Sequence, residues 1–195
     1  MPAAQGLFVC LVGPSGAGKD TLLRLAKSEL AADGRFLFPP RCVTRPPSAH
    51  EDHVALSEAD YSAGVSGGRF ALAWRAHSLG YGIDRDVLAP LATGLIITCN
   101  VSREAVAAAR AAFSRVAVIR VTAPDEVLAR RLAARGRETD AAIAERLTRN
   151  REFGADFAAD FTIDNSGAPI AAAAQLASIL RALALTHREE TSLVR

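Results

Sequence analysis

The segment Gly13–Asp20, which reads GPSGAGKD, has the composition of a loop that binds phosphate groups. Its glycines let the backbone approach an anion closely, and backbone N–H groups that converge at the start of a helix attract negative charge. The ammonium group of Lys19 would neutralise terminal phosphates. We therefore predict a phosphate-binding loop, the alternative being a glycine-rich turn with a solvated lysine. The predicted binding residues are Gly13, Pro14, Ser15, Gly16, Ala17, Gly18, Lys19, Asp20 and Thr21.

Asp20 stands where such loops carry a serine or threonine whose hydroxyl binds Mg²⁺. The aspartate expected at the end of a neighbouring strand is also missing, because the apolar run Leu95–Cys99 leads into Asn100. Mg²⁺ accepts carboxylate oxygens, so Asp20 could bind the ion directly or through water and supply the charge missing at position 100. We predict that Asp20 is a metal-site residue. The alternative is an acidic first-turn residue that stabilises a helix N-terminus.

An arginine cluster forms the second charged feature, with seven arginines and three acidic residues between positions 130 and 151. Arg131 and Arg135 are four residues apart and share a helix face, and Arg146 follows after a glycine. Phosphoryl transfer needs positive charge around the migrating group after water is excluded. We predict that Arg131, Arg135 and Arg146 act with Lys19 in catalysis from a mobile helical flap. A solvated charged face with some ion pairs is the alternative.

The elements that must position these residues are strands and helices in alternation. The apolar runs predict strands at Leu7–Val12, Phe36–Phe38, Cys42–Val43, Phe70–Trp74, Leu95–Cys99, Val116–Thr122 and Phe161–Ile163. Helical spacing predicts helices at Thr21–Leu30, Ser57–Gly64, Asp86–Leu91, Arg103–Phe113, Pro124–Ala134, Asp140–Phe153 and Pro169–Leu185. A polar loop is predicted up to His53, a turn at Gly80–Gly82, and a frayed polar tail over residues 186–195. Parallel strands need crossovers, so we predict an α/β fold with a central parallel sheet covered by helices on both faces.

Length and composition narrow the possible partners. The chain has 195 residues and a net charge of +2, which is too even to indicate nucleic acid or an anionic membrane as partner. No apolar stretch approaches the roughly 20 residues needed to cross a bilayer, so no membrane association and a cytoplasmic location are expected. Three cysteines, Cys10, Cys42 and Cys99, predict reduced and mostly buried thiols.

The motifs resemble the guanylate-kinase-like branch of the nucleoside-monophosphate kinases in order and spacing. They are GPSGAGK, Val43–Pro46 with an acidic loop, Gly80–Gly82, Arg131–Leu132 with Arg135–Gly136, and Arg146–Leu147. The resemblance implies a P-loop NTPase fold in a single domain, 1–195. It implies a core of residues 7–38, 84–129 and 154–185, an acceptor-binding insertion at about 40–83, and a helical lid at about 130–150.

Three positions depart from guanylate kinases. Ser48 replaces a second arginine, Asp20 replaces the serine of the loop, and Leu72 falls at about the place of the glutamate that reads guanine. A buried leucine cannot accept the hydrogen bonds of a guanine edge, so this position argues against a guanine nucleotide as acceptor.

The same departures resemble the ribose 1,5-bisphosphate phosphokinase family. That family is marked by GPSGxGKD, by the run Arg41–Arg45, by the stretch Trp74–Gly82 and by asparagine at position 100. The resemblance implies transfer of the γ-phosphoryl group of ATP, with Mg²⁺, to the 1-phosphate of ribose 1,5-bisphosphate, which yields 5-phosphoribosyl 1-diphosphate (PRPP) and ADP. A nucleoside-monophosphate kinase and a non-catalytic guanylate-kinase-like binding module are the alternatives.

A sugar bisphosphate needs cations and hydroxyl hydrogen bonds in place of a base-reading edge. Arg45 and Tyr81 match the places that hold the acceptor phosphate in guanylate kinases, and we add Arg41 as a substrate-binding residue. Weaker candidates are Arg75, His53 and His77. We predict that Trp74 packs in the core beneath the acceptor loop, with stacking on the sugar as the alternative.

Overall fold

The computed structural model describes residues 6–46, 52–134, 148 and 158–193, with side chains up to 186. Its strands are β1 Leu7–Val12, β2 Phe36–Leu37, β3 Arg41–Val43, β4 His53–Ala55, β5 Phe70–Ala76, β6 Leu79–Asp84, β7 Ile96–Asn100, β8 Val116–Thr122 and β9 Phe161–Asp164. Its helices are α1 Lys19–Glu29, α2 Glu58–Ser66, α3 Leu88–Ala92, α4 Ala105–Ala112, α5 Asp125–Ala133 and α6 Pro169–Leu193. The helix predicted at Asp140–Phe153 lies outside the described residues except for residue 148.

The central sheet has the strand order β2-β7-β1-β8-β9, and every pairing within it is parallel. On one face, α1 and α6 contribute core side chains such as Leu22 and Leu176. On the other face, α4 contributes Ala109, and Leu72 of β5 joins the same core. Both faces of the strands are therefore covered, which explains their unbroken apolar runs. The predicted central parallel sheet with helices on both faces is confirmed.

A second sheet, in the order β4-β3-β6-β5, is formed by residues between 41 and 84. Strand β3 pairs in parallel with β4 and antiparallel with β6. The sequence did not predict β4, whose first residue, His53, was assigned to a polar loop. Strand β4 lies at the edge of the sheet and Val54 is 40% exposed, so its residues lack the apolar pattern of a buried strand.

The prediction of a turn at Gly80–Gly82 was wrong, because these residues lie within β6. The chain reverses instead at His77 and Ser78, whose φ angles of 51° and 63° are left-handed. The glycines are required by packing: a Cβ at Gly80 would lie 2.7 Å from the Tyr61 ring. A Cβ at Gly82 would lie 2.5 Å from the Phe70 ring. The two glycines therefore let aromatic rings cover the strand.

Helix α6 differs from the prediction in two respects. It continues to Leu193, so the frayed tail predicted to begin at residue 186 was wrong. Its segment Pro169–Thr186 is also long and apolar enough, by length and composition, to cross a membrane, which the sequence analysis missed. The core helix of a globular protein meets the same criteria, and Leu176 and Leu180 of this segment are fully buried against the central sheet.

The three cysteines are free and buried, as predicted. Burial raises the pKa of Cys10 to about 12, and it raises the pKa of Cys99 as well. Burial also raises the pKa of Cys42 to about 12, with a further contribution from its hydrogen bond to Asp84 at 3.3 Å. All three groups therefore remain thiols at neutral pH.

This chemistry predicts slow thiol modification in the native protein. Because the thiolate is the reactive species, a disulfide reagent at pH 8 should label the folded chain at least ~100-fold more slowly than free cysteine. In guanidinium chloride, all three thiols should react rapidly. Rapid labelling of the native protein, followed by absorbance, would contradict the assignment of inert buried thiols.

Candidate active site

The loop between β1 and α1 opens a helix that no described side chain caps. Gly18 occupies the N-cap position with a φ of 86°, in the left-handed region that favours glycine. The first-turn N–H groups of α1 have no partner within the helix, so they are available to an anion. Within the loop, the N–H of Ala17 donates to the carbonyl of Pro14 at 3.2 Å and closes a turn. The result is a backbone cradle at the positive end of a helix.

Lys19 folds back over this cradle. Its Nζ donates to the carbonyl oxygens of Gly13 at 2.7 Å and Pro14 at 3.0 Å. The ammonium group therefore lies against the loop, where it can exchange two neutral acceptors for the oxygens of a phosphate. Charge-assisted hydrogen bonds to phosphate are the stronger kind, so this exchange favours an anionic ligand.

Asn165, directly after β9, supports the loop from behind, and the sequence analysis missed it. Its Nδ2 donates to the carbonyl of Ala17 at 2.7 Å, and its own N–H donates to the carbonyl of Thr122 at 2.8 Å. A Cβ at Gly18 would lie 2.5 Å from Nδ2, so the amide packs against the backbone that begins α1. Asparagine directly after the last strand of the parallel sheet was the available signal, since ligands bind at the carboxyl edge of such sheets.

Asp20 joins the loop to two other elements. Its Oδ1 accepts hydrogen bonds from Nδ2 of Asn100, at the end of β7, and from Nη2 of Arg41, in β3, the latter at 3.0 Å. The carboxylate thus lies beside the strand-end position whose charge it was predicted to replace. Thr21, the last of the predicted binding residues, lies half-buried in the same helical turn.

The donor set around Asp20 suits Mg²⁺. Asn100 is 1% exposed, and its Oδ1 has no hydrogen-bond partner among the residues that the structure describes. A buried carbonyl oxygen beside a carboxylate is a ligand that a hard cation accepts. The described part of the chain has no group of three or more acidic, histidine or cysteine side chains that could hold a metal alone. Mg²⁺ usually takes one or two carboxylates together with waters and substrate phosphates, so Asp20 with Asn100 would be enough on the protein side.

The second sheet brings Arg41 and Tyr81 together opposite the loop. The Cζ of Arg41 lies 5.9 Å from the centroid of the Tyr81 ring. Tyr81 in turn stacks on Trp74, with centroids 5.2 Å apart and planes 9° from parallel. Trp74 is 8% exposed and belongs to the core, as predicted. Leu72, the residue that the resemblance sets against a guanine acceptor, is also buried in this core, at 4% exposure.

Two further candidates for acceptor binding, Arg45 and His53, lie close to β3. Arg45 is half-buried in the bend after β3, which Thr44 anchors by accepting a hydrogen bond from the N–H of Gly80 at 2.8 Å. His53 is the register partner of Arg41.

Arg75 points elsewhere. It pairs with Glu58 at 2.8 Å, and both side chains are 55% exposed. His77 lies in the hairpin turn between β5 and β6.

Helix α5 places Arg131 against the loop. Leu128 and Leu132 of this helix lie next to Gly16, and Nη1 of Arg131 is 4.0 Å from the Cβ position of Gly18. That Nη1 is buried and has no hydrogen-bond partner in the described ranges. A buried donor without a partner costs free energy of folding, so a ligand oxygen that accepts from this Nη1 would be bound favourably. The other two predicted arginines, Arg135 and Arg146, lie outside the described residues.

Comparison with known proteins identifies the family of the chain. The chain is 53% identical over 177 residues to a protein named ribose 1,5-bisphosphate phosphokinase PhnN from Methylobacterium radiotolerans, covering 91% of this chain and 98% of that protein. It is 44% identical over 176 residues to a protein of the same name from Bradyrhizobium diazoefficiens, covering 90% and 88%. No protein-family model matches the chain.

Among solved structures, guanylate kinase from Anaplasma phagocytophilum is similar, with a TM-score of 0.66 and 18% identity over 93% of this chain and 88% of that one. This likeness shows the fold alone, an α/β architecture of the guanylate-kinase type. The sequence identities of 53% and 44%, over about nine tenths of the chain, show the family as well. The chain belongs to the family of the ribose 1,5-bisphosphate phosphokinases PhnN.

Proposed function

We propose that this protein is an ATP-dependent kinase that phosphorylates the 1-phosphate of ribose 1,5-bisphosphate, forming PRPP and ADP. The observation that carries the proposal is a phosphate-binding loop that holds Lys19 and whose Asp20 contacts Arg41 of the second sheet. At the position that the resemblance gives to the base-reading glutamate stands Leu72, which is 4% exposed and belongs to the core. A leucine cannot pair with a guanine edge, whereas a sugar bisphosphate presents no such edge.

The reaction needs placement and charge more than acid–base chemistry. An acceptor phosphate is already an oxyanion near neutral pH, so no general base is required to create the nucleophile. The loop N–H groups and Lys19 hold the phosphates of ATP, and Arg131 stabilises the charge on the group in transfer. Mg²⁺ at Asp20, with Asn100 beside it, would neutralise the phosphate oxygens of the nucleotide.

The second sheet supplies the acceptor side. Arg45 and Tyr81 hold the acceptor phosphate, and Arg41 adds a second guanidinium. Arg135 and Arg146 complete the arginine set from a lid at about 130–150. We propose a cytoplasmic location, in keeping with the reduced thiols.

The acceptor test offers the purified chain ATP and Mg²⁺ with ribose 1,5-bisphosphate, GMP or other monophosphates, and measures ADP. We expect ribose 1,5-bisphosphate to be used with a kcat/KM at least ~100-fold above that for GMP, because Leu72 leaves the guanine edge unpaired. Preferential use of GMP would indicate a nucleoside-monophosphate kinase. ATP binding without phosphorylation of any acceptor would indicate a non-catalytic binding module.

Lys19→Ala should lower kcat by about 10²- to 10⁴-fold, because a cation that faces the transferring phosphates in a water-poor site is lost. Steady-state kinetics and thermal unfolding of the variant measure the effect. The matched control is Lys27→Ala, in the same helix, whose ammonium is 3.8 Å from Asp52 with both side chains more than half exposed. A near-normal rate for Lys19→Ala would refute the assignment.

Asn165→Ala and Asn165→Asp should both raise the KM for ATP by about tenfold, because neither side chain can donate to the carbonyl of Ala17. The KM for the acceptor should change less than about twofold, since Asn165 contacts only the nucleotide side of the proposed site. If both variants merely unfold at lower temperature while the KM for ATP is unchanged, Asn165 does not shape the loop for the nucleotide.

A further inference from the structure

The ion pair between Asp20 and Arg41 joins the two sides of the proposed site. Asp20 lies in the first turn of α1, directly after the loop, and Arg41 opens β3 in the second sheet. Their side chains are only 31% and 14% exposed. By comparison, Arg75 of the same sheet pairs with Glu58 at the surface, where both side chains are 55% exposed. Partial burial strengthens the pair, because water screens it less.

The same carboxylate is the proposed metal residue. Its Oδ1 already accepts hydrogen bonds from Arg41 and from Asn100. A divalent cation at this carboxylate and a guanidinium 3.0 Å from the same oxygen would repel each other. Metal binding therefore opposes the pairing of Arg41 with Asp20.

Arg41 has a second support that does not involve Asp20. Its guanidinium carbon lies 5.9 Å from the centroid of the Tyr81 ring. The Trp74 ring stacks on the Tyr81 ring, with the two centroids 5.2 Å apart. A cation over an aromatic face is attracted to it, so Arg41 stays beside Tyr81 when Asp20 is taken by a metal. A guanidinium in that position, once it no longer donates to Asp20, can turn those N–H groups to a phosphate.

We propose that the Arg41–Asp20 pair couples the two substrates. A magnesium nucleotide takes Asp20 and releases Arg41 to the phosphate of the acceptor, and the acceptor in turn favours the release of Asp20. Because each ligand removes the same contact, each increases the affinity for the other by the same factor. The acceptor then binds tightly only when a phosphoryl donor is present. This inference rests on the proposed function, which supplies the acceptor.

The test is calorimetric titration of the full chain with ribose 1,5-bisphosphate in the presence of a non-hydrolysable ATP analogue, with either Mg²⁺ or EDTA. In the wild type, Mg²⁺ should tighten acceptor binding by about 5- to 50-fold. The Asp20→Asn variant cannot form the ion pair with Arg41. In EDTA, it should therefore bind the acceptor more tightly than the wild type does. Mg²⁺ should change the affinity of this variant for the acceptor by less than about twofold. A merely structural role for the pair predicts weaker acceptor binding in this variant.

A second measurement does not depend on the acceptor. Electron paramagnetic resonance of Mn²⁺ with the same ATP analogue should show several-fold tighter metal binding in Arg41→Met than in wild type, because the competing guanidinium is gone. The control Arg75→Met, in the same sheet but paired with exposed Glu58, should bind Mn²⁺ like wild type. Circular dichroism confirms that each variant is folded.

The outcomes separate this inference from the proposed function. If ribose 1,5-bisphosphate fails to bind the wild type in every condition, the acceptor assignment is wrong, and the Mn²⁺ measurement alone decides the competition. Unchanged Mn²⁺ affinity in Arg41→Met overturns the coupling. The coupling is also overturned if Mg²⁺ does not change the affinity of the wild type for the acceptor.

Discussion

The parallel pairing of β1 with its two neighbours is the constraint on which the site depends. Strand β1 lies between β7 and β8, with Leu11 opposite Asn100 and Val12 opposite Arg120. Because parallel strands end at the same edge, the loop after β1 meets Asn100 there, and Asn165 reaches it from β9. A slip of one residue would turn each side chain to the opposite face of the sheet. The core packing that holds the register therefore also holds the geometry of the loop.

The charges at this edge are arranged for a polyanion. Lys19 and Arg131 lie against the loop, and Arg41 contacts the carboxylate of Asp20. Lys19 rests on loop carbonyls, and Nη1 of Arg131 is buried without a partner in the described part of the chain. A buried donor left unpaired costs about 1–3 kcal/mol. A phosphate oxygen that accepts from Nη1 would remove this cost, which is in keeping with the binding of a nucleotide.

The second sheet carries the residues that we propose to bind the acceptor. The fold is shared with guanylate kinase at 18% identity, and fold alone does not define the acceptor. In the second sheet, Leu72 and Ile83 are buried in the apolar core, while Arg41, which contacts Asp20, lies over the Tyr81 ring. A cation beside an aromatic ring suits the proposed acceptor, whose recognition would rest on phosphates and hydroxyl groups.

The sequence by itself determined the local chemistry: the loop and its lysine, the buried strands of the central sheet, the inert thiols and the apolar residue at position 72. These follow from residue type and short-range spacing, which act within one strand or one helical turn. Tertiary structure alone decided the rest. Strand β4 exists because β3 offers it an edge, and Gly80 and Gly82 lie in a strand because β6 pairs with both β3 and β5. The lack of Cβ atoms at these two glycines makes room for the Tyr61 and Phe70 rings. The contacts of Asp20 with Arg41 and Asn100, and of Asn165 with Ala17, join residues distant in sequence, so they form only when the sheet brings those elements together.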